Sequence, residues 1–252
     1  MKKHKLNQSG AAHLILVIVI VLAAVGGFAY WRISQIQNES SDDTSASTPS
    51  DSSARIKHLG IDLDYYDSAT QTAGDIKFIK LPTSEGGVDS VFWEYGRMGE
   101  ASSAGPARRN PQPTFIAPLG TKVHALVDGT VVNVPKLYSG DYSVHVQPKG
   151  SDLIFETEHV INVKVKKGDT VKAGDVVAEV SDYDSHNLDG LGLFEIGILK
   201  GGNPPKHVCT FDYLDDSIKA ETLKKITALE DAWEDFIGNP DFYNQAAEPT
   251  PG

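Results

Sequence analysis

One short phrase occurs twice in the chain and constrains the fold more than any other feature. Gly120-Thr121-Lys122-Val123-His124-Ala125 is echoed by Gly168-Asp169-Thr170-Val171-Lys172-Ala173. The first copy runs on to Asp128 and Val131-Val132, the second to Asp175 and Val176-Val177. Each glycine suits a tight turn, and each valine sends an apolar side chain into a shared core. Two such half-motifs predict an intertwined, pseudo-duplicated β-domain.

The surrounding pattern is that of short strands. Alternation predicts strands over 122–127 and 130–134, with Asp128-Gly129 between them as a hairpin turn. Residues 142–147 and 153–158 form a second candidate hairpin around Pro148-Lys149-Gly150-Ser151. Strands over 176–180 and 193–199 follow. The segment 56–104 is a weaker lead-in, with a strand expected over 74–81 and another, or an aromatic patch, over 91–95. At the other end Ile218, Leu223, Ile226, Leu229, Trp233, Phe236 and Ile237 recur mostly at three- to four-residue spacing. That spacing predicts an amphipathic helix over 215–238, stopped by Gly238-Asn239-Pro240 and followed by a flexible tail, 239–252.

The N-terminal fifth is built differently. Residues 11–31 contain no Asp, Glu, Lys or Arg, and as a helix would span roughly 30 Å, enough to cross a bilayer core. Lys2, Lys3 and Lys5 lie in the basic segment 1–10 before it, and all 34 acidic residues come after it. This asymmetry predicts a cytoplasmic N-terminus, a single-pass membrane anchor in the bilayer, and an extracytoplasmic remainder. Residues 32–55, rich in Ser, Thr and Asp, are expected to be a disordered tether. The net charge of −11 excludes a nucleic-acid partner, since no basic face neutralises phosphates. Cys209 is the only cysteine, so no intramolecular disulfide forms.

Three ordered blocks then become familiar. Ala117-Pro118-Leu119-Gly120-Thr121-Lys122-Val123-His124-Ala125 precedes Asp128-Gly129-Thr130-Val131. Glu158-His159-Val160 precedes Val165-Lys166-Lys167-Gly168-Asp169-Thr170-Val171-Lys172-Ala173-Gly174. Leu193-Phe194-Glu195-Ile196 closes the series. Over roughly 110–200 the chain resembles the lysostaphin/LytM-type zinc endopeptidases of cell walls. The resemblance implies a mainly β domain, 105–214, of duplicated-hybrid-motif (barrel-sandwich hybrid) type. The V-K-x-G-D-x-V rhythm is also that of biotinyl and lipoyl carriers, but no lysine stands at the apex of Gly174-Asp175 or Asp128-Gly129 to carry the group.

The resemblance also implies a site. The family binds zinc through a His and an Asp before the A-P-x-G-T block and the second His of an H-x-H segment, leaving a position open for water or substrate. These positions fall on Asn110, Thr114 and Leu193, and the first His of H-x-H falls on Leu191. Only His159, matching the histidine of the family's A-H-L block, keeps its chemistry. The expected site is a vestigial groove lined by Asn110, Thr114, His159, Leu191, Leu193 and Glu195, with no metal or other cofactor. His124, His145, Glu156 and Glu158 are further polar candidates, with Glu156 and Glu158 on one strand face and His159 on the other. His58-Leu59-Gly60-Ile61-Asp62 imitates the zinc-binding string far from the block it should adjoin. Displaced ligands His58, Asp62 and His159 define the alternative, an active zinc endopeptidase with Glu195 projecting elsewhere.

The resemblance therefore implies a non-catalytic extracytoplasmic module that binds peptidoglycan or another envelope component, or regulates a wall hydrolase. A purely structural envelope scaffold is the third reading.

Overall fold

Period-two runs of Val, Ile and Phe between glycine turns become strands because that spacing puts every second side chain on one face. The computed structural model describes residues 54–80, 89–99, 107–182 and 190–243. The expected segment 1–10, the apolar span 11–31, nearly all of the tether and the tail beyond 243 lie outside the described residues. Among the described residues no helix is long and apolar enough to cross a membrane.

Two small ribbons, β1 (Thr72–Ala73) with β2 (Ile76–Lys77) and β4 (Met98–Gly99) with β5 (Arg108–Arg109), flank the main sheet. That sheet comprises β3 (Phe92–Trp93), β6 (Thr114–Pro118), β7 (Lys122–His124), β8 (Gly129–Asn133), β9 (Tyr142–Gln147), β10 (Ile154–Ile161), β11 (Thr170–Val171), β12 (Val176–Val180), β13 (Leu191–Lys200) and β14 (Lys206–His207). Its main path runs β11-β8-β9-β10-β13-β6-β3, with β12 joining β10 to β7 and β14 on β13.

The two half-motifs exchange strands. β7 of the first pairs with β12 after the second, and β11 of the second pairs with β8 after the first. The contacts match pairwise. Gly120 N donates to Val180 O (3.2 Å) and Val180 N to Thr121 O (2.9 Å); Gly168 N donates to Val131 O (2.8 Å) and Val131 N to Asp169 O (2.8 Å). Gly120 and Gly168 both have positive φ, 79° and 97°, and Val123 and Val171 are both buried.

The exchange overturns the expected Asp128-Gly129 hairpin. The strand beginning at Lys122 stops at His124, and buried Ala125, Leu126 and Val127 cross to other partners. Neither turn residue has positive φ. Asp128 instead accepts from Ala173 N (3.0 Å) and pairs with Lys57 (2.8 Å). Gly129 is needed for a close approach, since a Cβ there would lie 2.6 Å from Gln147 O.

Residues directly opposite on antiparallel strands share a face. Phe92, Phe115 and Phe194 form one such row, wholly buried in the main core. Trp93, Thr114, Glu195 and Glu158 form the next row, on the opposite face. The lead-in supplies core rather than standing apart from it. Ile56, Ile61, Ile76 and Phe78 are buried, Gly60 abuts Phe194, and only β2 survives of the strand expected over 74–81.

The helix α1 (Asp216–Ile237) forms as its spacing predicts. Asp215 caps it by accepting from Ser217 N (3.0 Å), and Gly238 ends it at φ 71°. Ile226, Leu229 and Trp233 are its buried stripe, and Trp233 meets Phe78 edge-on at 5.4 Å.

Gly192, between Leu191 and Leu193, has no room for a side chain, because a Cβ would sit 1.9 Å from Ser181 O. Gly192→Ala is expected to lose about 1–3 kcal/mol by forcing β13 away from the Ser181 bridge. Thermal unfolding measures this, and an unchanged midpoint would mean that the Ser181 backbone yields freely.

Candidate functional site

Three adjacent strands, β9, β10 and β13, place acids and imidazoles on the face opposite the aromatic core. Cross-strand register sets His145 against Glu156, Glu156 against Gly197, and Glu158 against Glu195. Gly197 contributes an absence of bulk: a Cβ there would stand 2.5 Å from Glu156 Oε1 and 2.9 Å from Gln112 Nε2.

The expectation that His159 faces away from Glu158 is wrong. Pairing of β10 with β9 slips between Thr157 and Val160, and His159 adopts φ 59°. An extra residue in one strand breaks the alternation. The bulge turns the buried His159 ring onto the same face as Glu158 and Glu195. Its Nδ1 lies 3.1 Å from Asp141 Oδ2, and its Nε2 lies 3.7 Å from Glu195 Oε2. The buried Asp141 also accepts from the Ser181 and Ser139 hydroxyls. Burial alone would raise the Asp141 pKa, but these three donors outweigh it and hold the carboxyl below its usual range.

Glu195 belongs to the same network instead of projecting elsewhere. Thr114 Oγ1 donates to its Oε1 (3.2 Å). Burial pushes the Glu195 pKa up to about 7; His159 opposes this and Glu158 adds to it. Glu158 is also raised, first by burial and then by the charge of Glu156. Gln112 Nε2 donates to Glu156 Oε1 (3.2 Å) and Glu158 Oε2 (3.1 Å). The almost fully buried Glu156 is flanked by His145 Nε2 at 3.3 Å and His207 Nε2 at 2.7 Å. Burial lowers the His145 pKa. Burial also works against the charged form of His207, but the hydrogen bond to Glu156 and the nearby carboxylates prevail and raise it.

Of the groove residues expected from the sequence, Asn110, Thr114, Glu195 and His159 form a chain of contacts, whereas Leu191 and Leu193 lie in a separate apolar cluster. Asn110 Nδ2 faces Glu94 O (3.2 Å), Gln112 O and Thr114 Oγ1 (3.3 Å), so its amide is engaged with the chain itself. Leu191 and Leu193 are both 3 % exposed and join Ile116 in a small apolar cluster against Ile79 and Trp93. At Asn110, Thr114 and Leu193, the positions that the resemblance assigns to metal ligands, a cation would meet an amide donor, a hydroxyl and an alkyl group. This set does not fit zinc.

His58 and Asp62 are not delivered to His159. The segment between them meets Phe194 from the core side of the sheet, through Gly60. His58 Nε2 pairs with Asp62 (3.4 Å), its Nδ1 accepts from Gly60 N (3.0 Å), and its ring lies 4.7 Å from that of His124. Burial first, and His124 second, lower its pKa. His124 likewise stands apart from the cluster, its Nδ1 2.7 Å from Gly174 O.

Sequence reasoning missed Asp141, Ser181, Gln112 and His207. None of the four lies in a motif. Two sets of donors come close enough to share an ion among the described residues: His145, Glu156 and Glu158, and Glu158, His159 and Glu195. In each set the ligand atoms lie within 4.8 Å of one another. The network can hold and pass protons or bind a cationic group.

Residues 113–198 match the family model described as Peptidase family M23. No curated protein matches the chain. Among solved structures, a catalytic-domain mutant of the prophage-encoded M23 protein EnpA from Enterococcus faecalis is 25 % identical, covering 48 % of this chain and 89 % of its own, at TM-score 0.38. The catalytic domain of lysostaphin from Staphylococcus simulans is 18 % identical, covering 46 % and 84 %, also at 0.38. LytU is 20 % identical, covering 60 % and 95 %, at 0.39.

Proposed function

We propose, from the match of residues 113–198 to Peptidase family M23, that this chain is a membrane-anchored extracytoplasmic module that binds cell-wall peptide material without hydrolysing it. The match of residues 113–198 to Peptidase family M23, together with the resemblance of the three sequence blocks to cell-wall endopeptidases, supports a wall ligand for this chain. The apolar span 11–31 and its flanking charge support the anchor.

One observation carries the non-hydrolytic reading. Leu193, aligned with a metal-binding histidine, is 3 % exposed and packed against Ile116 and Leu191. A buried alkyl side chain there offers no lone pair to a Lewis acid. The acids and imidazoles beside it supply donors and acceptors to orient a peptide.

The experiment is retention on purified sacculi. The full chain, solubilised in detergent, is expected to co-sediment with sacculi above a control membrane protein and to leave their turbidity unchanged. Release of soluble peptide fragments would overturn the non-hydrolytic reading. Absence of retention would remove the wall ligand and favour regulation of a partner hydrolase.

A further inference from the structure

Glu158 and Glu195 stand directly opposite each other on β10 and β13. Like charges in that arrangement destabilise a sheet. Among the described residues the ion pairs of Glu156, Glu195 and Asp141 are all to imidazoles, and none is to Lys or Arg. The described residues thus gather carboxylates on a partly buried face with no Lys or Arg paired to Glu156, Glu195 or Asp141.

The imidazole between them is held in the way a metal-bound histidine is held. His159 presents Nδ1 to the Asp141 carboxylate, itself fixed by Ser139 and Ser181, and this directs Nε2 toward Glu195. Carboxylate–histidine pairs of this type orient ligand rings and raise their basicity. A separate observation points to the same place. The fully buried Ser143 hydroxyl lies beside the Glu158 carboxylate yet completes no hydrogen bond of normal geometry. Buried polar atoms are ordinarily satisfied by protein, water or an ion.

We propose that Glu158, His159 and Glu195 bind one divalent transition-metal cation, at a position displaced from that aligned with Asn110, Thr114 and Leu193. One nitrogen and two carboxylate oxygens suit Zn²⁺ better than Ca²⁺ or Mg²⁺, which favour all-oxygen shells. Tetrahedral donors about 2.1 Å from zinc stand roughly 3.4 Å apart. The donors here lie within 4.8 Å of one another, so small rotations of the two glutamate side chains close the shell. Thr114 and Gln112, which hydrogen-bond these two carboxylates, and Asp141 are the positioning residues.

The site stands on donor geometry, independently of any wall ligand. A chain that takes up zinc but ignores sacculi keeps the site and loses the ligand; the reverse result does the opposite. The test is isothermal titration of the chelator-stripped full chain with Zn²⁺, together with the visible absorption spectrum of the Co²⁺ form. One equivalent is expected, with a cobalt spectrum of low-symmetry, low-coordinate type. Glu195→Gln and His159→Ala are each expected to weaken binding at least about tenfold, and Asp141→Asn by about tenfold. His58→Ala, in the other imidazole cluster, is expected to change nothing. Absence of stoichiometric uptake, or uptake unchanged in Glu195→Gln, would overturn the site. Glu195→Gln conserves volume and therefore decides the matter if His159→Ala does not fold.

Discussion

Trp233→Ala is expected to destabilise the β-domain by about 3–5 kcal/mol, enough to unfold a marginal protein at ambient temperature. Trp233 is 1 % exposed, meets Phe78 edge-on at 5.4 Å and stacks with Phe236 at 5.5 Å. Phe78 comes from the lead-in, so the indole ties the first described segment to the last helix. The cavity left by alanine would be bounded by two aromatic rings and could not close without moving α1. Urea unfolding followed by far-ultraviolet circular dichroism reads the loss. A cost below about 1 kcal/mol would mean that α1 is an appendage and not part of the core.

The second large effect has the opposite sign. In the presence of a chelator, Glu195→Gln is expected to stabilise the protein at pH 8 by about 2–3 kcal/mol and to leave stability near pH 4 almost unchanged. Glu195 titrates at about 7 in the folded chain, against 4.5 for an ordinary glutamate. The folded state therefore holds more protons than the unfolded state between these values, and stability falls as pH rises from about 4.5 to 7. Above pH 7 both states are ionised and the loss is complete. A tenfold change in a proton-binding constant corresponds to about 1.4 kcal/mol. Glu158, also raised and facing Glu195, Glu156 and His159, adds to the same slope. Glutamine removes the ionisation but keeps the volume. Chemical denaturation at pH 4, 6 and 8 gives the slope, and identical slopes for both proteins would rule out Glu195 as its source.

Which segments are strands was largely legible, because period-two alternation and glycine turns are local signals. The strand over 176–180 and the hairpin of β9 with β10 emerge as the sequence predicts, and α1 lies within one residue of its expected bounds at each end. Strand partners were less legible. The side chains of 122–134 say which face is apolar but not which strand lies alongside, and Asp128-Gly129 therefore passed for a hairpin. The site divides along the same line. Asn110, Thr114, His159 and Glu195 could be placed together because they lie in blocks resembling a known family. The bulge that reverses His159 leaves no trace in Glu158-His159-Val160, where no glycine or asparagine announces a left-handed residue. Asp141 and Ser181 reach His159 only through tertiary pairing.

The pairing of β7 with β12 and of β11 with β8 has a further implication. Each half of the domain finishes the other's hydrogen-bond ladder, so neither half is self-sufficient. Before residues 168–180 are available, both β7 and β8 present open edges that attract any extended chain nearby. Two incomplete copies would satisfy one another as readily as one copy satisfies itself, and the same geometry that closes the monomer offers a ready path to reciprocal swapping between molecules.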